Sequence, residues 1–241
     1  MCLMADLIAD RPSPITPVPM KWSPYYVTAA SVLCIFTGLL SFGKLSTQLK
    51  TLLIFLLITV VLEELLVLLA RTPEEEYRWI RRLYILLRPF EYVIYSSVVL
   101  PAARFPKAGV YIRATALAFF CYVAYLFLAG GANQAAVSTT FILSGIGCIA
   151  ASLVYFRSVM TSQAPVSLGR DPAFWIAAAL LFFYTGNIIV TGLYPQLIRL
   201  SPDLAKSLYL AFNLSLGVIR YLLFIAAFVV CRKNTPENAG Q

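Results

Sequence analysis

The chain contains no histidine. That excludes His-ligated metal and haem sites, Ser-His-Asp triads and histidine proton relays. Charge is scarce as well. Only 12% of the 241 residues are Asp, Glu, Lys or Arg, about half the roughly 25% of a soluble domain. Five cysteines are present (Cys2, Cys34, Cys121, Cys148 and Cys231), none in a CxxC pair, and all but Cys2 lie in or at the end of apolar segments. They read as small buried hydrophobes, so neither a disulfide framework nor a cysteine metal site is expected. No cofactor is expected.

What is present is apolar. Hydrophobic residues make up 60% of the chain and mean hydropathy is +0.81, which places it in the membrane class. A helix crosses a bilayer with about 20 mostly apolar residues. Seven such runs occur, at 23–43, 50–70, 82–103, 109–129, 138–160, 172–195 and 207–231. The expected fold is therefore all-α: a polytopic transmembrane bundle with seven spans over residues 22–233. An extended, proline-marked leader (1–21) precedes it, too short in its apolar part for a cleaved signal peptide. A short tail (234–241) follows. Trp22, Tyr25, Tyr26, Trp79 and Trp175, near helix ends, read as interface anchors.

The net charge is +8, but the Lys and Arg residues fall mostly between apolar runs and form no basic stripe. They imply lipid-headgroup contact and topology signalling, not nucleic acid. Counting Lys and Arg on alternate connections favours the N-terminus outside and the C-terminus inside, in a multi-pass cell-membrane protein. "RTPEEEYRWIRR", between the second and third runs, holds four arginines on the outer side and opposes that assignment.

The unusual groups are charges inside the oil. "ITVVLEELLVLLA" carries Glu63 and Glu64 in an otherwise apolar run. Glu63 lies thirteen residues from Lys50, Glu91 thirteen from Arg104 and Arg220 twelve from Arg232. Those separations put all three about 18–20 Å from one edge, near the middle of a core about 30 Å thick. An isolated charge there costs several kcal/mol, so Arg220 is expected to hydrogen-bond at least one of Glu63, Glu64 and Glu91. Arg88 can hold Glu91 at i,i+3. With three carboxylates and two arginines at this level, one carboxylate is left over for a proton or a tyrosine hydroxyl.

Helical spacing extends the pattern. Tyr84, Arg88, Glu91, Tyr92 and Tyr95 share one face of the third helix, with Ile94 and Val98 expected nearer lipid. Tyr184, Asn187, Thr191 and Tyr194 repeat the stripe on the sixth, and Tyr209, Asn213, Gly217 and Arg220 on the seventh. Candidate ligand-binding or proton-coupling residues are thus Glu63, Glu64, Arg88, Glu91, Tyr92, Tyr95, Asn187, Asn213 and Arg220. The competing structural reading is hydrogen-bonding glue between helices. Ser144, Cys148 and Ser152, at i+4 spacing, read as helix-packing surface.

Seven helices invite comparison with retinal proteins, but Lys206 stands at the start of the last helix and Arg220 at its middle, so no Schiff-base lysine is available. Neither "DRY" nor "NPxxY" occurs. On "LYILLRPFEYVIYSSV" and "DPAFWIAAALLFFYTGN", the chain resembles a loose group of small, uncharacterised bacterial seven-helix membrane proteins. The resemblance implies a membrane protein working beside a sensor kinase.

The leading functional expectation is a receptor-like or sensory module. It would bind a small or lipidic ligand between the helices and act through a membrane or cytoplasmic signalling partner. The alternative is a transporter or channel subunit using buried carboxylates for proton or cation coupling. An intramembrane lipid-modifying enzyme would rest on carboxylates alone. A purely structural partner completes the set. Membrane lipids are partners in every case.

Overall fold

The computed structural model describes residues 25–69, 74–103, 107–128, 134–162 and 167–233, with the side chains of 63–64, 66–69, 74–81 and 134–135 excepted. The leader and the C-terminal tail lie outside this range. Among the described residues there are seven α-helices: α1 (Tyr25–Leu40), α2 (Thr47–Leu69), α3 (Glu74–Ala102), α4 (Ala108–Leu128), α5 (Gln134–Thr161), α6 (Pro172–Leu200) and α7 (Pro202–Lys233). Each coincides with one of the apolar runs.

Local chemistry sets several helix starts. Asp171 caps α6 by accepting from the Ala173 amide at 2.9 Å, with Pro172 in the first turn where its missing N–H costs nothing. The Ser46 and Ser201 hydroxyls accept amides at the starts of α2 and α7. Ser201 alone separates α6 from α7, so the two form a tight antiparallel pair.

Among the described residues, five helical segments are long and apolar enough to cross a membrane: Arg82–Ala102, Ala108–Leu128, Ala136–Thr161, Pro172–Leu200 and Pro202–Lys233. The apolar segments at Tyr25–Leu40 and Thr47–Leu62 are shorter. The 16 residues of α1 span about 24 Å, less than a core of about 30 Å. The chain is thus a multi-pass, membrane-compatible helical bundle. Its outer face agrees: Phe36, Leu117, Phe182, Ile189 and Leu222 are all exposed, a continuous apolar surface of the kind a water-soluble monomer avoids.

α3 is the central helix. It packs against α2, α4, α5 and α6, while α7 lies between α1 and α6. Close approach between helices depends on small residues, as at Gly38 and Gly147. A Cβ at Gly38 would lie 2.4 Å from Leu53 Cδ1 and 3.2 Å from Phe228, so glycine lets α1 seat on α2 and α7. A Cβ at Gly147 would lie 2.6 Å from the Tyr92 ring, so glycine lets α5 close on α3. Ser144, Cys148 and Ser152 are all fully buried in this packing.

Hydrogen bonds between elements cluster at one end of the bundle. Tyr155 Oη donates to Asp171 Oδ2 at 2.5 Å, Ser158 Oγ to the Ala103 carbonyl at 2.7 Å, and Cys231 Sγ to the Lys44 carbonyl at 3.5 Å. This is the end that the positive-inside count assigns to the interior.

Candidate functional site: a polar cavity at mid-depth

The charged face of α3 forms as its spacing predicts. Arg88 and Glu91, one turn apart, are salt-bridged through Arg88 Nη1 and Glu91 Oε2. Glu91 is only 4% exposed. The pair sits where a lone charge would be costly, and each partner lowers the cost of the other. The Arg88 guanidinium also lies 5.0 Å from the Phe141 ring of α5 and 5.5 Å from the Tyr84 ring. Such cation–π contacts contribute about 0.5–2 kcal/mol, most when desolvated.

α7 brings the second cation. Arg220, 8% exposed, donates from Nη2 to the Tyr221 hydroxyl at 3.1 Å. Its guanidinium rests 4.1 Å from the Phe183 ring of α6 and 4.8 Å from the Tyr221 ring. Asn213 lies seven residues earlier on α7, which is about two turns, and it faces the same interior.

These groups surround one cavity of about 50 Å³. Val27 contributes from α1, Phe55, Thr59 and Leu62 from α2, Tyr84, Arg88, Glu91 and Tyr95 from α3, Phe141 from α5, Phe183 from α6, and Asn213, Gly217 and Arg220 from α7. Arg88 Nε and Asn213 Nδ2 are buried and have no hydrogen-bond partner among the described residues. A buried donor left unmade costs about 1–3 kcal/mol, so both call for an acceptor inside the cavity. One water needs at least about 10–15 Å³ of such space, and drug-sized ligands take about 300–1,000 Å³. The cavity therefore suits a few waters, an ion or a molecule of a few heavy atoms.

Five of the nine candidate residues come together here: Arg88, Glu91, Tyr95, Asn213 and Arg220. The side chains of Glu63 and Glu64 lie outside the described residues, although Thr59 and Leu62 of the same helix line the cavity. Two candidates lie elsewhere. Asn187 is buried but spends Nδ2 on the Phe183 carbonyl of its own helix at 2.8 Å, and it is not in the lining. Tyr92, about 100° around α3 from Glu91, points away from the cavity toward α4 and hydrogen-bonds Thr115 at 2.7 Å. Val98, expected near lipid, is buried at 5% exposure. The reason is common to both: α3 has neighbours on nearly every side, so it has little lipid face to offer.

Sequence reading missed the rings that hold the cations. Phe141 and Phe183 stand in apolar runs with no distinguishing neighbours. Tyr221 was hidden because adjacent helical residues do not ordinarily face each other; the length of the arginine side chain bridges that gap.

No protein-family model matches this chain, and no curated protein or solved structure shows significant similarity to it.

Proposed function

We propose that the protein is a receptor-like membrane module whose mid-depth cavity binds a small polar species. Occupancy changes the packing of α3 against α5 and α7, and a membrane or cytoplasmic signalling partner reads that change. In this proposal all seven helices span a bacterial inner membrane, with the N-terminus outside and the C-terminus inside. The resemblance to small bacterial seven-helix membrane proteins belongs to the same proposal. One observation carries it: Arg88, Glu91, Asn213 and Arg220 converge from two helices on a shared cavity, where the buried Arg88 Nε and Asn213 Nδ2 have no acceptor among the described residues. Structural glue alone would have paired them with each other.

The cavity's size favours a second reading, proton or cation coupling by a transporter or channel subunit. A space of about 50 Å³ admits hydrated protons or small ions more readily than an organic ligand. An intramembrane enzyme has less support, because the one carboxylate among the described lining residues, Glu91, is engaged by Arg88.

Purified protein in sealed vesicles separates the first two readings. Imposed proton and alkali-cation gradients, followed with an entrapped dye, should leave the receptor-like protein without flux. Its thermal unfolding should rise with one member of a panel of small carboxylates, amines and inorganic ions, and Arg220→Met should abolish that rise. Flux that Glu91→Gln removes would assign coupling instead.

A further inference from the structure

A second cavity lies about a quarter-turn around α3, beside Tyr92. A groove of about 350 Å³ opens between α3, α4 and α5, lined by Tyr92, Thr115, Phe119, Tyr122, Leu143 and Ile146 among others. It reaches the volume range of small-molecule sites, which the central cavity does not.

Its floor is neutral and internally satisfied. The Thr115 hydroxyl donates to the Tyr111 carbonyl at 2.6 Å. A hydroxyl has one proton to give, so in the 2.7 Å contact with Tyr92 the phenol donates and Thr115 accepts. This relay requires nothing from an occupant. Among the described residues, the lining contains no charged side chain. Thr115 and Tyr122 lie seven and fourteen residues along α4 from Ala108, or about 10 and 21 Å from that helix end. The groove thus sits within hydrocarbon depth. It opens outward where Leu143 is 42% and Ile146 53% exposed.

We propose that this groove seats one hydrocarbon chain of a membrane lipid, entering sideways between α4 and α5. A headgroup would bring charge to a depth with no partner for it. The proposal rests on the membrane-spanning reading but not on the central cavity. Its occupant bears on that cavity all the same, because Tyr92 follows Glu91 in the chain. A chain against Tyr92 presses on the turn of α3 that carries the Arg88–Glu91 pair.

The full-length protein in phosphatidylcholine vesicles, doped with phosphatidylcholine bearing a diazirine midway along one acyl chain, provides the test. Photolysis and peptide mapping should show Ala118, Leu143 and Ile146 labelled about fivefold above Leu33 and Phe36 of α1, a difference of about 1 kcal/mol in local occupancy. Leu33 and Phe36 are similarly exposed. Ala118→Phe, which fills the groove, should remove that excess and leave α1 labelling unchanged. Leu117→Phe, on the other face of α4 and outside the lining, should leave both unchanged. Should Ala118→Phe not accumulate, Leu143→Trp fills the same space. Groove labelling no higher than on α1, or an excess that survives filling, overturns the proposal. No labelling of either face overturns the membrane-spanning reading instead.

Discussion

Glu91→Gln removes one charge from the central cavity and keeps its shape. The Arg88 guanidinium, its side chain 13% exposed, then stays buried without its counter-charge. Breaking a buried pair from one side costs about 3–5 kcal/mol. The Phe141 and Tyr84 rings, at 5.0 and 5.5 Å, still face the stranded cation and soften its isolation by roughly 1 kcal/mol. The expected loss is therefore about 2–4 kcal/mol. At about 2–4 °C per kcal/mol for a chain of this size, the Tm should fall by roughly 4–16 °C. Arg88→Met alone strands the carboxylate, and Glu91 has no ring to lean on, so its loss should be at least as large. Arg88→Met with Glu91→Gln removes both charges and should recover most of the loss. Unfolding is followed in detergent at one fixed scan rate, since membrane proteins often unfold irreversibly. A double variant as unstable as the sum of the two singles would refute the reasoning, because it would mean the pair carries no coupling energy.

Three further outcomes are expected. Arg220→Met should destabilise the protein, and Glu63→Gln or Glu64→Gln in the same chain should restore part of the loss, whereas Glu91→Gln, already held by Arg88, should not. Failure of both α2 substitutions would end the idea that α2 supplies Arg220 with a carboxylate. In a background cleared of native cysteines, Asn133→Cys should react with an impermeant reagent from outside and Pro236→Cys only after permeabilisation; the reverse pattern would invert the topology and leave the spans intact. Tyr155→Phe removes the charge-assisted bond to Asp171, the residue that caps α6, and should cost about 1–3 kcal/mol. A Tm unchanged within error would show that the cap holds without it.

Apolar length was the most legible feature. Each long run became a helix because a bilayer, or a bundle inside one, leaves the backbone no other way to satisfy its N–H and C=O groups. The i,i+3 spacing of Arg88 and Glu91 likewise carried their pairing, since it depends on helix geometry alone. Tyr92 and Asn187 were harder. Tyr92 fits the same three/four spacing as Glu91, yet the position of α4 decides which side of α3 it serves. Asn187 has a local alternative, the carbonyl four residues back, that spacing cannot weigh against a distant cavity. The groove of α3, α4 and α5 left no mark in the sequence. It depends on how far α4 stands from α5, and its residues Thr115, Phe119, Ile146 and Gly147 are ordinary for a transmembrane helix.

The most direct measurement is an experimental structure of the protein in a lipid nanodisc, resolved well enough to place guanidinium groups. The account predicts Arg88 on Glu91 and Arg220 over the Phe183 ring, both facing one enclosed cavity between α2, α3 and α7. A Glu91 or Arg220 side chain directed outward into the acyl chains would contradict it.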